Sequence, residues 1–353
     1  MYGGASRGST TDYAYHSVGE IGKMTNDELT KFFSSIEWYD NSKIRVIRGC
    51  KRKAFYSLIG PRGTKLASAV GDGANFGSSF HAGLSRYYNT WGKFSESERR
   101  VFAARAFADE WAEYFPTEHM QSKHRLDNGL FILDRYCEHY LTEDPLYEPV
   151  ESELGFAVKI ESCKAGPVKC EPFHYVGRID GIFRRIADDT YWLRETKTTG
   201  QTSPTAIEKR LKQLKFDHQP LGYVACIRQI QPQFKITGFL GDIIGVASQS
   251  LGFARDYFPV KQSDCDNWRE QLINTVEDWR KMYQRGLFDL IRPGQPIDNI
   301  NTFYQDTERC FDYGKCAFYE LCDYGINNDT LAMFEENTWN PLLQRTPTRI
   351  EIN

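Results

Sequence analysis

No run of eighteen apolar residues occurs in the chain, so no segment reads as a membrane span. Neither sign of charge dominates: 44 Lys and Arg face 47 Asp and Glu, for a formal net charge of −3. That excludes a protein that coats nucleic acid through bulk positive charge, and leaves such contact to local patches. No G-x-x-x-x-G-K-[ST] phosphate loop is present, since GPRGTK lacks the spacing, so no motor is evident. Internal repeats and long Pro/Gly linkers are missing too. The opening MYGGASRGSTTDYAYH has neither a basic n-region nor an apolar h-region, which predicts no secretory signal. Its Gly/Ser/Thr/Tyr bias predicts a flexible tail over the first 20 or so residues.

What is present is a 353-residue chain with 41% hydrophobic and 26% charged residues, enough to bury a sizeable core. Nine cysteines without a signal sequence argue for metal-binding or buried thiols rather than a disulfide framework. Residues 43–58 (KIRVIRGCKRKAFYSL) predict a basic amphipathic helix, and residues 76–91 a second. Ser95 and Glu98 form a capping-box pattern before a third helix, which Pro116 closes, and residues 127–141 predict a fourth. From Glu151 the period shortens: ELGFAVKI, YVGRIDGIFRRI and TYWLRETKTT read as strands. Residues 205–230 return to helix, 235–248 read as strand, 264–288 as a strong helix, and the Cys-rich end as loop. The expected fold class is α/β: a mixed central sheet flanked by helices, with an N-terminal helical part.

The stretch GRIDGIFRRIADDTYWLRETKTTG carries charge where half-buried strands should be apolar. Read as a hairpin turning on ADDT, it places Asp180 about opposite Lys197, with Glu195 on the same face as Lys197. Two carboxylates this close repel, and a divalent cation such as Mg²⁺ or Mn²⁺ is one way to hold both. The other reading is a solvated hairpin face with an incidental ion pair. The apolar neighbours Ile179, Ile182, Phe183 and Tyr191-Trp192-Leu193 favour burial, where unpaired charge is costly.

Gly-x-Ile-Asp-Gly followed by Glu-x-Lys on the next strand resembles the core of the PD-(D/E)XK nuclease superfamily. GSSFH with His81, HQPLGYV with Gln219 and Tyr223, and the cysteine pattern resemble its RecB-like branch, which includes CRISPR-associated iron–sulfur exonucleases and many phage nucleases. The resemblance covers residues 43 to 325 and implies a restriction-endonuclease-like fold. It implies that His81, Asp180, Glu195 and the Thr196 carbonyl bind the divalent cation. Lys197 is then expected to position the attacking water, and Gln219 and Tyr223 to support the site and contact DNA. Glu153 and Glu151 are equal candidates for an additional acid. Taken singly, His81 reads as a satisfied helix histidine, and Gln219 with Tyr223 as neighbours one turn apart. Pro220 predicts the first turn of their helix.

Cys310, Cys316 and Cys322 recur at intervals of six, with Cys50 far upstream. The iron–sulfur branch draws one cysteine from such an N-terminal segment and three from the C-terminus, which implies a [4Fe–4S] cluster in a C-terminal Cys-bound lobe, with zinc the second choice. The branch's usual C-x2-C-x5-C is here C-x5-C-x5-C. Cys137, Cys163, Cys170, Cys226 and Cys265 lack partner spacing and read as core or surface thiols.

The expected organisation is an N-terminal extension over 1–42, a nuclease domain over 43–325 with a helical insertion near 82–150 and a cluster lobe at 300–325, and a C-terminal extension over 326–353. Candidate phosphate contacts are Lys43, Arg45, Arg48, Lys51, Arg52 and Lys53, together with Lys209, Arg210, Lys212 and Lys215. Tyr56, Tyr87 and Tyr88 are candidates for base stacking or for the core. The expected activity is metal-dependent hydrolysis of DNA, at ends or on single strands, in the cytoplasm of a bacterium or of a phage's host. A separate helicase, recombinase or integrase is the expected partner. The alternative is a non-catalytic binding module on a degenerate nuclease fold.

Overall fold

A computed structural model describes residues 26–58, 64–66, 72–115, 123–161, 171–247, 251–290, 302–311, 315–336, 340–342 and 349–352. The N-terminal part runs α1 (Asn26–Ser35), β1 (Trp38–Tyr39), α2 (Asn41–Arg48), α3 (Lys51–Leu58) and β2 (Thr64–Leu66). Three longer helices follow: α4 (Asp72–Asn89), α5 (Glu96–Tyr114) and α6 (Leu126–His139). The strand region is β3 (Tyr147–Ser152), β4 (Leu154–Ile160), β5 (Phe173–Arg178), β6 (Gly181–Arg185) and β7 (Thr190–Thr199). Then come α7 (Pro204–Leu214), α8 (His218–Ile230), β8 (Ile236–Val246), β9 (Leu251–Pro259) and α9 (Gln262–Leu290). The chain ends with α10 (Tyr319–Asp323), α11 (Asn328–Leu331), β10 (Phe334–Glu336) and β11 (Arg349–Ile352).

These elements form the expected α/β architecture, with two mixed sheets where one was expected. The first has the order β1-β5-β4-β11, the second β3-β6-β7-β8-β9, and β2 pairs with β10 apart from both. The sheets meet at a bend. Glu153, between β3 and β4, sits at φ 53°, a left-handed conformation that costs a non-glycine residue energy. Across from it the β5–β6 chain leaves strand geometry at Ile179–Asp180, while Ile179 N–H still donates to the Leu154 carbonyl at 2.9 Å. β1 and β11, which lie outside residues 43–325, are both strands of the first sheet, each parallel to its neighbour.

Several elements follow local chemistry. The Ser95–Glu98 capping box forms and starts α5. Asp217 caps α8, and Pro220 falls in its first turn, where a missing N–H costs nothing. The single helix expected over 43–58 is two, broken at Gly49-Cys50, where Gly49 N–H closes α2 on the Arg45 and Val46 carbonyls. Residues 205–230 are likewise two helices, parted at Lys215–Asp217. Strand β9 was not expected, because Arg255 and Asp256 interrupt its apolar run. Pro116 and the GPRG turn lie outside the described residues, as does the N-terminal tail.

The second sheet is covered on both faces. Ile243, Leu211, Leu214 and Val224 belong to a core shared with α2, α3 and α7–α9. Ile244, Val246 and Phe183 belong to a core built with Phe76, Phe80, Phe107, Ile132 and Tyr136 of α4–α6. The packing there is close: a Cβ added at Gly129 would lie 2.2 Å from the Phe107 ring. Among the described residues, no helix is long and apolar enough to cross a membrane.

Candidate active site

β7 organises the site, because alternate residues of a strand face opposite layers. Thr198 faces α4, within 3.1 Å of where a Gly77 Cβ would stand, and Arg194 and Thr196 share that face. Glu195 and Lys197 face the α8 side, where Lys197 Nζ donates to Gln219 Oε1 at 3.1 Å. The β6–β7 register pairs Gly181 with Arg194 and Arg185 with Thr190, so the turn is Ile186–Asp189 with Asp189 left-handed at φ 56°. The expectation of Asp180 opposite Lys197 is therefore corrected: continued by one residue, the register sets Asp180 opposite Glu195. Four loop residues centred one position earlier than ADDT account for the two-residue slip.

Asp180 stands at the bend between the sheets. It accepts a hydrogen bond from Thr196 N–H at 2.7 Å, and His81 Nδ1 on α4 lies 3.0 Å from its other oxygen. Burial works against its charge, but His81, Lys197 and the Thr196 N–H outweigh that and hold its carboxyl well below the usual carboxylate range. Glu195 behaves oppositely. Burial, joined by the charge of Asp180 and only partly countered by Lys197, pushes it up to about 7. Burial also opposes the charge on Lys197, yet Glu195 and Asp180 raise its pKa above the ordinary lysine value, so it stands as an ammonium.

Lys197 Nζ lies 2.6 Å from Glu195 Oε1 and pairs with it. Two buried carboxylates beside one ammonium leave negative charge that a divalent cation would balance. The donor set of two carboxylates, an imidazole and a backbone carbonyl is of the hard oxygen and nitrogen type that divalent cations take. His81 and Asp180 meet as a pair, and Glu195 meets Lys197. Among the described residues no three His, Cys, Asp or Glu side chains stand together as a ready ligand set. The residues fit a cation by chemistry, without being closed around one.

A small cavity lined by His81, Leu84, Ser85, Glu153, Asp180, Arg194 and Thr196 opens here. Glu153, 8% exposed, is the acid beside the site. Glu151 instead pairs with Ile182 along β3. Ser85 also lines a cleft of about 700 Å³ between α4 and α5. Gln219 Nε2 donates to Tyr223 Oη at 3.2 Å. Tyr223 is buried edge-on to Phe156, with its hydroxyl on Gln219. A Cβ at Gly177 would lie 2.6 Å from both rings, which is why that strand residue must be glycine for α8 to approach.

Behind β7 lies a buried ion network that sequence patterning did not reveal. Asp242 on β8 is fully buried and accepts from Arg194 Nε at 3.1 Å, Arg255 Nε at 2.8 Å and Tyr136 Oη at 2.7 Å. Arg255 also donates to Asp144 at 2.9 Å, and Asp144 accepts from Tyr88 Oη at 3.0 Å. Two guanidiniums and two carboxylates balance, and they pin α4, α6 and β7–β9 together. The one available signal was charge inside apolar runs: Asp242 in 236–246, and Arg255 with Asp256 in 251–259.

The structure brings Cys50, at the start of α3, beside the C-terminal cysteines. Cys50 Sγ accepts from Asp306 N–H at 3.4 Å, and Cys316 N–H donates to the Cys310 carbonyl at 2.8 Å. Phe55 packs on Phe303, and Tyr56 on Phe318. Burial raises the Cys310 thiol, with Cys316 and Cys50 adding to it. Burial likewise raises Cys322, where Cys50 and Cys316 add and Gln305 and Arg52 oppose. Cys137, Cys226 and Cys265 are buried core thiols, while Cys163 and Cys170 lie outside the described residues.

The two basic stretches differ. Arg48 donates through Nε to Thr275 at 3.1 Å, Arg52 through Nε to the Phe303 carbonyl at 2.6 Å, and Lys51 to the Ile47 carbonyl; all three are half-buried. Lys43 lies over the Trp38 ring. Lys53, Lys209, Lys212 and Lys215 are exposed, with Lys212 paired to Glu208, and Arg210 is half-buried. Tyr56, Tyr87 and Tyr88 are 3%, 1% and 5% exposed, so of the two uses open to them their rings take the core.

A sequence model of the PD-(D/E)XK nuclease superfamily matches residues 41–323. The chain belongs to that superfamily. The mixed α/β fold accords with it, and such nucleases typically use Mg²⁺ or Mn²⁺. Nothing matches among curated proteins. One matching solved structure, "Crystal structure of SSO0001", is 12% identical, with 76% of this chain and 93% of that chain covered and a TM-score of 0.29. At that score the likeness carries no argument.

Proposed function

We propose that this nuclease hydrolyses DNA at ends or on single strands, with His81, Asp180, Glu195 and the Thr196 carbonyl holding a divalent cation. The observation that carries this reading is the convergence of two buried carboxylates: Asp180, which stays ionised between His81 and the Thr196 N–H, and Glu195, 2.6 Å from the Lys197 ammonium. When bound, the cation would neutralise charge on the phosphate and lower the pKa of the attacking water. Lys197, held by Gln219, orients that water and stabilises negative charge at phosphorus. His81 fixes the Asp180 carboxylate from the α4 side, and the Thr196 N–H fixes it from β7. Buried Tyr223 accepts a hydrogen bond from the Gln219 amide.

The RecB-like branch is supported by the order His81, Asp180, Glu195-x-Lys197, Gln219-x3-Tyr223 along the chain. The same branch motivates a cluster on Cys50, Cys310, Cys316 and Cys322, [4Fe–4S] first and zinc second, which would tie the start of α3 to the C-terminal lobe. The exposed lysines of α7 and Lys53 are the phosphate contacts of this reading. Work at DNA ends in the cytoplasm, beside a helicase, recombinase or integrase that opens duplex, completes it. The test is cleavage of linear single-stranded, linear duplex and circular DNA in Mg²⁺ or Mn²⁺. Degradation of linear DNA with circular DNA spared is expected; equal cutting of closed circles would overturn the end-directed reading.

A further inference from the structure

We propose that Asn41 is a positioning residue for the active-site lysine, acting through Gln219. This rests on Lys197 being the residue that orients the attacking water.

Gln219 Oε1 accepts two hydrogen bonds, from Lys197 Nζ at 3.1 Å and from Asn41 Nδ2 at 3.3 Å. Its Nε2 donates to Tyr223 Oη at 3.2 Å. A side-chain amide can turn over, exchanging a carbonyl for an NH₂ group. Were Gln219 to turn over, an NH₂ would face the Lys197 ammonium, donor against donor, and the lysine would lose its amide partner. Tyr223 does not by itself prevent this, because a hydroxyl can donate as readily as it accepts. Lys197 favours the observed orientation but is the very group to be positioned. Asn41 is the second donor on that carbonyl, and its place at the start of α2 fixes where the Gln219 carbonyl is held beside Lys197.

The placement of Asn41 is itself well determined. It is the first residue of α2, directly after Asp40, which caps the helix by accepting from Lys43 N–H at 2.9 Å. Asp40 is buried, and Tyr39 before it belongs to β1, paired with β5. At the other end Gly49 leads into Cys50. An eight-residue helix is about 12 Å long, so α2 is a short strut from the lysine's support to the cysteine lobe. Asn41 thus reports the seating of α2 to Lys197.

The discriminating variant is Asn41→Asp. It keeps the shape, and an acid in a helix's first turn suits the helix dipole. It replaces a donor by an acceptor, so the Gln219 NH₂ turns toward position 41 and away from its present partner. Selective ¹⁵N-glutamine labelling reads the Gln219 side-chain amide directly, without requiring cleavage. Its resonances are expected to move in Asn41→Asp by as much as in Tyr223→Phe or more, with the melting temperature kept. Unmoved resonances would overturn the proposal.

Cleavage of a labelled linear single strand in Mn²⁺ gives the second readout. Asn41→Ala is expected to lower kcat about fivefold, the weight of one neutral hydrogen bond, and Asn41→Asp roughly tenfold or more, because a donor then faces the ammonium. KM should be unchanged. Asn41→Ser, which cannot reach, should behave as alanine, and covers the case in which the aspartate unsettles α2. Gln219→Ala should abolish the effect: Asn41→Asp on that background costs nothing further. A wild-type kcat in Asn41→Asp, or an effect that persists without Gln219, contradicts the relay. Lys197→Ala separates the two layers: full activity there would refute the role of the lysine itself, whereas an inactive Lys197→Ala beside a wild-type Asn41→Asp refutes only the relay.

Discussion

Removal of Asp242 should unfold the chain far more readily than removal of any acid at the active site. The carboxylate is 0% exposed and accepts from two arginines and a tyrosine. Burial opposes its charge, and Arg255 and Arg194 overcome this and hold its carboxyl below the ordinary range. In Asp242→Ala buried Arg194 loses its carboxylate, while Arg255 keeps Asp144 at 2.9 Å, with Glu143 next at 3.5 Å. Breaking a buried pair by removing one partner costs about 3–5 kcal/mol. Set against a total stability of about 5–15 kcal/mol, that is a large fraction. Urea unfolding followed by far-UV circular dichroism should show the midpoint falling by the corresponding amount, with the slope unchanged. Asp242→Asn, which keeps one acceptor and loses the charge, should fall between. Asp242→Leu combined with Arg255→Met restores charge balance between Arg194 and Asp144, so the pair should cost less than the sum of the singles. A loss below about 1 kcal/mol in Asp242→Ala, the size of a surface change, would refute the reasoning.

Two further outcomes follow from the site and the lobe. Glu195 is raised to about 7 from its ordinary 4.5, so the folded chain binds more protons than the unfolded between those values, and Glu195 costs stability as pH rises through that window. A divalent cation must displace that proton, so the rise in melting temperature on adding Mn²⁺ should be larger at pH 8 than at pH 5.5; a rise independent of pH would separate Glu195 from the cation. Protein purified without oxygen should be brown with an absorbance band near ~400 nm from iron–sulfur charge transfer, and Cys310→Ser should bleach it. Colourless protein with stoichiometric zinc decides for the second choice of ligand.

The strands and most helices were legible because their patterns are local. ELGFAVKI and YVGRIDGIF alternate or run apolar, and Ser95 with Glu98 writes its own cap. β9 was not legible, since Arg255 reads as a solvent-facing charge until Asp242 and Asp144 are placed around it from over a hundred residues away and from the neighbouring strand. The gap at Gly49-Cys50 was hidden by a continuous apolar rhythm on either side. At the site, Asp180, Glu195 and Lys197 were legible as charges in the wrong places, but their register was not, because it depends on which four residues make the turn. Gln219 and Tyr223 were legible as neighbours one helical turn apart, but not the direction of the tyrosine: burial against Phe156 turns its hydroxyl inward, onto Gln219. Asn41 had no signal at all, since a lone asparagine at a helix start reads only as a helix start.

The central claim is that Asp180 and Lys197 perform phosphodiester hydrolysis. The most direct measurement compares cleavage of labelled linear DNA by the wild-type chain, Asp180→Ala and Lys197→Ala in Mn²⁺, with circular dichroism showing each folded. Cleavage by the wild type and its loss in both variants are expected; full activity in either folded variant would remove that residue from the chemistry.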